Sequence, residues 1–239
     1  MDILKHLVQK WDDDLFQRVS AVKEKYEEIW KYYRENMPEC VTACKSKFGE
    51  NIDGPQGIYW IGRKPLIFIA GRENFSWIDD HDFNDETTMA LPLWFCFFQT
   101  AYMQGFWAKT YWLIKNVLGK NEFQWFECLD FVALSNACKC YDPSHQWNLH
   151  AECSKRGFID KEIEVVNAPI NIFFTKTFGT LANNSEYKFI HEINGSGIFK
   201  YVRNNRIFYE MNHPGRMSYD TLKVLIEDVR KELFEKKLL

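Results

Sequence analysis

Residues 65–71 read PLIFIAG, a continuous apolar run with β-branched residues that a glycine closes. A run of this kind is typical of a strand that is buried on both faces inside a parallel sheet. Three later runs have the same character, namely FVALSNACK (131–139), INIFFTKTFG (170–179) and NRIFYEMNHPG (205–215). The four runs predict four buried strands around which the fold is built.

Helical patterns separate these strands. Apolar residues recur at three- and four-residue spacing from residue 2 to about 36, and Pro38 is expected to end this first helix. A second helical region is expected from about 91 to 118, and Ser218 is expected to cap a final helix with one apolar stripe. The segment NSEYKFIHEI (184–193) fits either a short helix or an additional strand.

Alternation of strands and helices predicts an α/β fold. We expect a three-layer sandwich with a central, mostly parallel four-stranded sheet flanked by helices. The 239 residues fit one domain, 1–239, with an N-terminal helical extension over about residues 1–48.

Composition excludes several classes of protein. Hydrophobic residues make up 46% of the chain and aromatic residues 17%, which argues against a disordered chain. The N-terminus lacks the apolar block of a signal peptide. The richest apolar stretch (89–107) is interrupted by Pro92 and Gly105, so it predicts a buried segment and no membrane association. Seven cysteines, an odd number, indicate free thiols in a reducing cytoplasm.

Polar residues directly after the predicted strands form a candidate site, because ligands of α/β folds bind at the carboxyl ends of the strands. Glu73 can orient water or face a developing cation. Asn136 presents a donor and an acceptor that can read a planar, amide-like edge. His213 can donate to an oxygen that gains negative charge. The pattern contains no Walker-type phosphate loop and no dinucleotide-binding glycine fingerprint.

The order and spacing of these motifs resemble the uracil-DNA glycosylase superfamily. IFIAGREN (67–74) is similar to its first motif, VALSNACKC (132–140) to the asparagine-bearing end of its second strand, and NHPGRM (212–217) to its final His-Pro motif. The resemblance covers about residues 65 to 235. The first motif departs from the Asp-Pro-Tyr and Asn-Pro-Gly forms of known branches, since Asn74 replaces the proline.

The resemblance implies a DNA base-excision hydrolase, which flips uracil or another deaminated base out of DNA and cleaves its N-glycosidic bond. Glu73 and His213 would then be catalytic: Glu73 would position water or stabilise the sugar cation, and His213 would hydrogen-bond the departing base. The implied base-binding residues are Gly71, Arg72, Asn74, Phe75 and Asn136. The implied DNA-binding residues are Pro214, Gly215, Arg216, Met217 and Ser218, with Met217 at the position of an intercalating wedge.

Each of these residues also has a structural interpretation. Glu73 fits a solvated sheet edge or a helix cap, and Asn136 and His213 fit turns. Met217 precedes the Ser218 cap, where an apolar residue commonly acts as a hydrophobic staple. The alternative functions are a non-catalytic nucleic-acid, nucleotide or protein-binding member of the same fold, and an unrelated α/β enzyme acting on a small molecule.

No cofactor is expected, although the cysteines leave one alternative open. Some branches of the family bind a four-iron cluster through cysteines at similar places, which here are Cys40, Cys44, Cys140 and Cys153. His145 and His150 lie near this group in sequence and add a zinc alternative. The expected partner is DNA, bound in a local basic groove because the net charge is only −3. A monomer is expected.

Overall fold

The computed structural model describes residues 17–49, 58, 60–71, 106–120, 125–139, 152–153 and 156–239. Helices α1 to α5 span Lys23–Phe48, Phe106–Val117, Trp125–Leu129, Phe158–Val166 and Tyr219–Glu235. Strands β1 to β7 span Trp60–Ile61, Ile67–Gly71, Val132–Asn136, Ile170–Phe173, Lys188–Glu192, Phe199–Arg203 and Arg206–Glu210. Two 3-10 turns cover Lys176–Phe178 and Pro214–Arg216.

The α/β class is confirmed, and each of the four predicted strand runs contains a strand of one mixed sheet. The sheet order is β1-β3-β2-β4-β7-β6-β5. Strand β2 pairs in parallel with β3 on one side and with β4 on the other, and β4 pairs in parallel with β7. Both β2 and β4 are buried over their whole length, as the apolar runs predicted.

The sheet has seven strands where four were expected. Strand β1 joins β3 antiparallel, and β5, β6 and β7 form an antiparallel meander on the other side. The β6–β7 turn consists of Asn204 and Asn205, both with positive φ (50° and 60°), which is the conformation of a tight hairpin turn. The segment 184–193 contains a strand and no helix, since Lys188–Glu192 pairs with β6.

Helices cover both faces of the sheet. Ser135 and Leu134 are neighbours on β3 and point to opposite faces. Ser135 bonds to Glu162 of α4, and α4 packs on α1. The register places Leu134 on the same face as Tyr209, which bonds to Asp228 of α5. Helices α4 and α5 therefore lie on opposite sides of the sheet.

The prediction that Pro38 ends the first helix is wrong. Helix α1 continues through Pro38 to Phe48. A proline inside a helix loses one hydrogen bond and clashes with the preceding turn, which costs about 3 kcal/mol. Here Met37, Cys40 and Cys44 on either side of the proline are buried in the same core cluster as the sheet, and this burial offsets the cost.

Substitution of Gly62 tests the packing between β1 and the turn before β3. We expect Gly62→Ala to destabilise the protein by about 1–3 kcal/mol, because its Cβ would lie 2.4 Å from the carbonyl oxygens of Leu129 and Asp130. Urea denaturation measures the change. Lys64→Ala, which truncates a nearby exposed side chain, is the control. Equal stability of both variants would contradict the packing argument.

Candidate functional site

The carboxyl ends of the central strands lie side by side at one edge of the sheet. Gly71 at the end of β2 is the register partner of Asn136 at the end of β3. On the other side, β7 ends beside β4, and the chain after it stays attached because Met211 N–H donates to the Phe173 carbonyl. Asn136 and the segment that carries His213 therefore face the same edge of the sheet.

The lateral separation of these segments follows from the strand order. Three steps lead from β3 to β7, and neighbouring strands are about 4.8 Å apart, so the two strands lie about 14 Å apart. Glu73, Arg72, Asn74 and Phe75 lie outside the described residues. In the sequence they directly follow Gly71, the last residue of β2.

Asn136 packs directly over Gly71. A Cβ atom added at Gly71 would lie only 2.0 Å from Asn136 Oδ1, so no larger residue fits beneath the carboxamide in this position. The backbone here is also fixed, since Ala137 N–H donates to the Gly71 carbonyl at 2.9 Å. Gly71 therefore allows the carboxamide to lie close to the strand end.

One ring nitrogen of His213 takes part in a hydrogen bond within its own turn. Its Nδ1 accepts a hydrogen bond from Gly215 N–H at 3.1 Å. In a neutral imidazole one nitrogen accepts and the other carries the hydrogen, so this bond places the hydrogen on Nε2. The half-buried ring can thus present an N–H donor. Pro214, which is buried, fixes the following turn Pro214–Arg216.

Lys109 of α2 stabilises this turn, and the sequence had not identified this residue as part of the site. Its Nζ donates to the carbonyls of Gly215 and Met217 and lies 5.5 Å from the centre of the Tyr219 ring. Trp112, one helical turn further along α2, packs edge-on against the same ring at 4.9 Å. Helix α2 falls in the predicted helical region 91–118, of which residues 91–105 lie outside the described residues. The region thus supports the His213 turn.

Met217 is buried, with only 9% of its surface exposed, and belongs to the hydrophobic core. Ser218 after it caps α5, because its Oγ accepts from Thr221 N–H at 3.0 Å. Leu222, four residues into the helix, is fully buried in the same cluster, which matches a hydrophobic staple. To act as a wedge in DNA, Met217 would have to leave this packing. Gly215, Arg216 and Ser218 are exposed at the surface.

A buried polar network lies beneath Asn136. Lys139 Nζ is 2.8 Å from Glu162 Oε2 and 2.6 Å from Ser135 Oγ, and Ser135 also donates to Glu162. Tyr33 of α1 donates to the other oxygen of Glu162. Burial lowers the pKa of Lys139, and the neighbouring Glu162 carboxylate opposes this effect. The sequence motif drew attention to Lys139, but not to its buried partners.

Glu210 at the end of β7 is a second buried acid that the sequence reasoning missed. Its carboxylate accepts from the backbone N–H groups of Leu181 and Ala182 and from the hydroxyl of Thr175. Burial raises the pKa of Glu210, while the backbone donors lower it in part. Through these bonds Glu210 links the chain after β4 to the end of β7, shortly before His213 in the sequence. A charged residue inside the apolar run RIFYEM was the available signal.

Three of the four cysteines of the cluster alternative come together. The thiols of Cys40 and Cys44 share a hydrogen bond, and Cys153 lies close enough to affect both. Burial, together with the neighbouring thiols of Cys153 and Cys44, raises the pKa of Cys40 to about 12. Cys140, His145 and His150 lie outside the described residues. Among the residues that the structure describes, no group of three or more His, Cys, Asp and Glu side chains is arranged to hold a metal ion.

A spectrum of the purified protein distinguishes free thiols from a cluster. We expect no visible absorption, because the described residues contain no group of His, Cys, Asp and Glu side chains that is arranged to hold a metal ion. Titration of the unfolded protein should then find all seven thiols. Visible absorption that disappears in Cys40→Ser would instead establish the four-iron cluster.

In comparisons with known proteins, no protein-family model matches this chain, and no curated protein sequence matches it either. In the described part of the chain, none of the helices has the length and apolar character needed to cross a membrane.

Proposed function

We propose that this protein is a base-excision hydrolase of the uracil-DNA glycosylase type, which acts on uracil or another deaminated base flipped out of DNA. The observation that carries the proposal is the pair of complementary groups at one sheet edge. The Asn136 carboxamide offers a donor and an acceptor to a pyrimidine edge. His213, in the segment after β7 at the same edge, carries its ring hydrogen on Nε2, because Nδ1 accepts from Gly215 N–H.

The fold supports this proposal. The four strands that carry the motifs are neighbours in the middle of the sheet and all run in parallel, in the order β3-β2-β4-β7. Antiparallel strands extend this group of four on both sides, so that the whole sheet is mixed. Parallel strands with their carboxyl ends at one edge are the common location of α/β active sites.

The proposed reaction is hydrolysis of the N-glycosidic bond. The bond between the base and the sugar breaks, its electron pair goes to the base, and water adds to the sugar carbon. His213 Nε2–H would donate to the base oxygen that gains negative charge. Glu73, two residues after Gly71, would face the sugar and accept a proton from water. Exposed Arg216 and Ser218 would contact DNA phosphates beside the N-terminus of α5.

Release of free base from defined oligonucleotides tests the proposal. The substrates are single- and double-stranded oligonucleotides that carry uracil, hypoxanthine or xanthine at one position, with thymine as the control. We expect release from at least one of them. If the folded protein releases none but binds the oligonucleotides, it is a binding protein on this fold. If it neither releases base nor binds, the nucleic-acid function is wrong.

Gly71→Ala tests the placement of Asn136 without removing any functional group. The new methyl group would displace the end of a flexible side chain and not the backbone, so we expect little change in unfolding free energy. Because errors near 1 Å in positioning can cost about 100-fold in rate, we expect kcat/KM for base release to fall by roughly this factor. Steady-state kinetics and thermal unfolding measure the two effects. Unchanged kcat/KM would contradict a role for the carboxamide.

A further inference from the structure

The polar network beneath Asn136 contains two charges that are completely buried. Lys139 and Glu162 both have zero exposed side-chain surface, and Ser135 and Tyr33 are buried beside them. The network joins three elements, since Ser135 lies on β3, Glu162 on α4 and Tyr33 on α1. Lys139 follows β3 by three residues. All of the hydrogen bonds converge on the Glu162 carboxylate or on Lys139 Nζ.

A buried ion pair of this kind contributes little net stability, because its formation carries a large desolvation penalty. Removing two charges from water costs several kcal/mol each, and apolar side chains of similar volume often give equal or greater stability. Hydrogen-bonded charges also provide a defined geometry, because the hydrogen bonds of each donor and acceptor are satisfied in only one arrangement. The location of the network therefore indicates what geometry it fixes.

The network holds the chain on both sides of Asn136. Ser135 precedes it and bonds to both charged groups, while Lys139 follows it by three residues and returns its ammonium group to Ser135 at 2.6 Å. The backbone N–H of Lys139 also donates to Cys153 Sγ at 3.1 Å. Together with the Ala137 bond to Gly71, these contacts fix the turn 135–139 from below.

We propose that Lys139 and Glu162 are positioning residues, which set the orientation of the Asn136 carboxamide toward the base; this inference rests on the proposed function. The pair touches no substrate. It acts through Ser135 and the turn, so that the carboxamide over Gly71 is already oriented before a base enters. The N-terminal helix contributes through Tyr33, which makes α1 part of the support of the site.

A second ion cluster, built around the buried Lys200, provides a control in the same sheet. Lys200 on β6 is 5% exposed and contacts Asp228 and Glu232 of α5 at 2.6 Å each. It lies on the opposite face of the sheet from Ser135 and Glu162. Lys200→Met therefore removes the positive partner of two partly buried carboxylates without touching the turn that carries Asn136. Ser135→Ala is a milder change at the turn itself.

The experiment compares Ser135→Ala, Lys139→Met and Lys200→Met in the full chain, at a temperature where all three are folded. Two readouts are used. The first is kcat and KM for base release from a uracil oligonucleotide. The second is the nitrogen–proton NMR signal of the Asn136 side-chain amide, identified by its loss in Asn136→Ala, which needs no activity. For Ser135→Ala and Lys139→Met we expect kcat to fall about tenfold or more, because the Asn136 carboxamide is misplaced. We also expect their amide signal to shift. Lys200→Met should change neither readout.

The two readouts separate the inference from the function on which it rests. If the wild-type protein releases no base but the amide signal moves in the turn variants alone, the proposed function fails and the positioning role stands. If the wild-type protein is active and the signal does not move, the positioning role is overturned while the function stands. If kcat and the amide signal changed equally in Lys139→Met and Lys200→Met, the network would serve only general stability, and this result would also overturn the inference.

Discussion

Lys139→Met is expected to destabilise the protein by about 3–5 kcal/mol, since it leaves the Glu162 carboxylate buried without its positive partner. Lys139 and Glu162 have no exposed side-chain surface, so water cannot replace the lost ammonium group. Tyr33 and Ser135 continue to donate to the carboxylate, but neither carries a charge. Urea denaturation followed by circular dichroism measures the loss.

Two further variants identify the cause of this loss. In Lys139→Met with Glu162→Gln, no unpaired charge remains and Tyr33 keeps an acceptor, so we expect part of the stability to return. Lys223→Met removes the same kind of side chain from an exposed pair with Asp220, 2.9 Å away, and should have no measurable effect. A loss as large in Lys223→Met as in Lys139→Met would show that burial is not the reason.

His213→Asn is expected to reduce kcat for base release by about 10²–10³-fold, the usual effect of removing a donor to a developing negative charge. Asparagine is chosen because its side-chain oxygen can accept the Gly215 N–H in place of Nδ1, as asparagine does in turns. The turn Pro214–Arg216 should therefore persist, while the donor at Nε2 is lost.

The measurement is single-turnover release of uracil, together with thermal unfolding of the same samples. We expect KM and the unfolding temperature to change little. His213→Ala, which loses both the turn bond and the donor, should be at least as slow and less stable. Full activity of His213→Asn would exclude His213 from the mechanism, and only Asn136 and Glu73 would keep their proposed roles.

The sequence predicted the structural elements that depend only on residues close together in the chain. Four apolar runs gave the four central strands, because a strand buried on both faces needs apolar residues at every position. The cap at Ser218 gave the start of α5, because its hydroxyl satisfies a backbone donor three residues later. Placement of Gly71, Asn136 and the His213 segment at one edge followed from parallel pairing alone.

Other features depended on residues far apart in the chain. The additional strand β1 has only two residues and β6 is only in part apolar, and both pair with edges that the central strands leave free. Helix α1 continues beyond Pro38 because its far side is buried against the core, which local propensity does not include. The burial of Met217, which favours a staple, also depends on the packing around α5.

The sequence by itself determined that this is an α/β protein and which residues follow its central strands, because both depend on the periodicity of burial within single segments. Only the tertiary structure decided that Glu162, 23 residues after Lys139 in the chain, is its buried partner, and that Tyr33, Lys109 and Glu210 support the site. Such partnerships are absent from local patterns because hydrogen bonds and ion pairs depend on distance in space, which the packing of helices on the sheet sets.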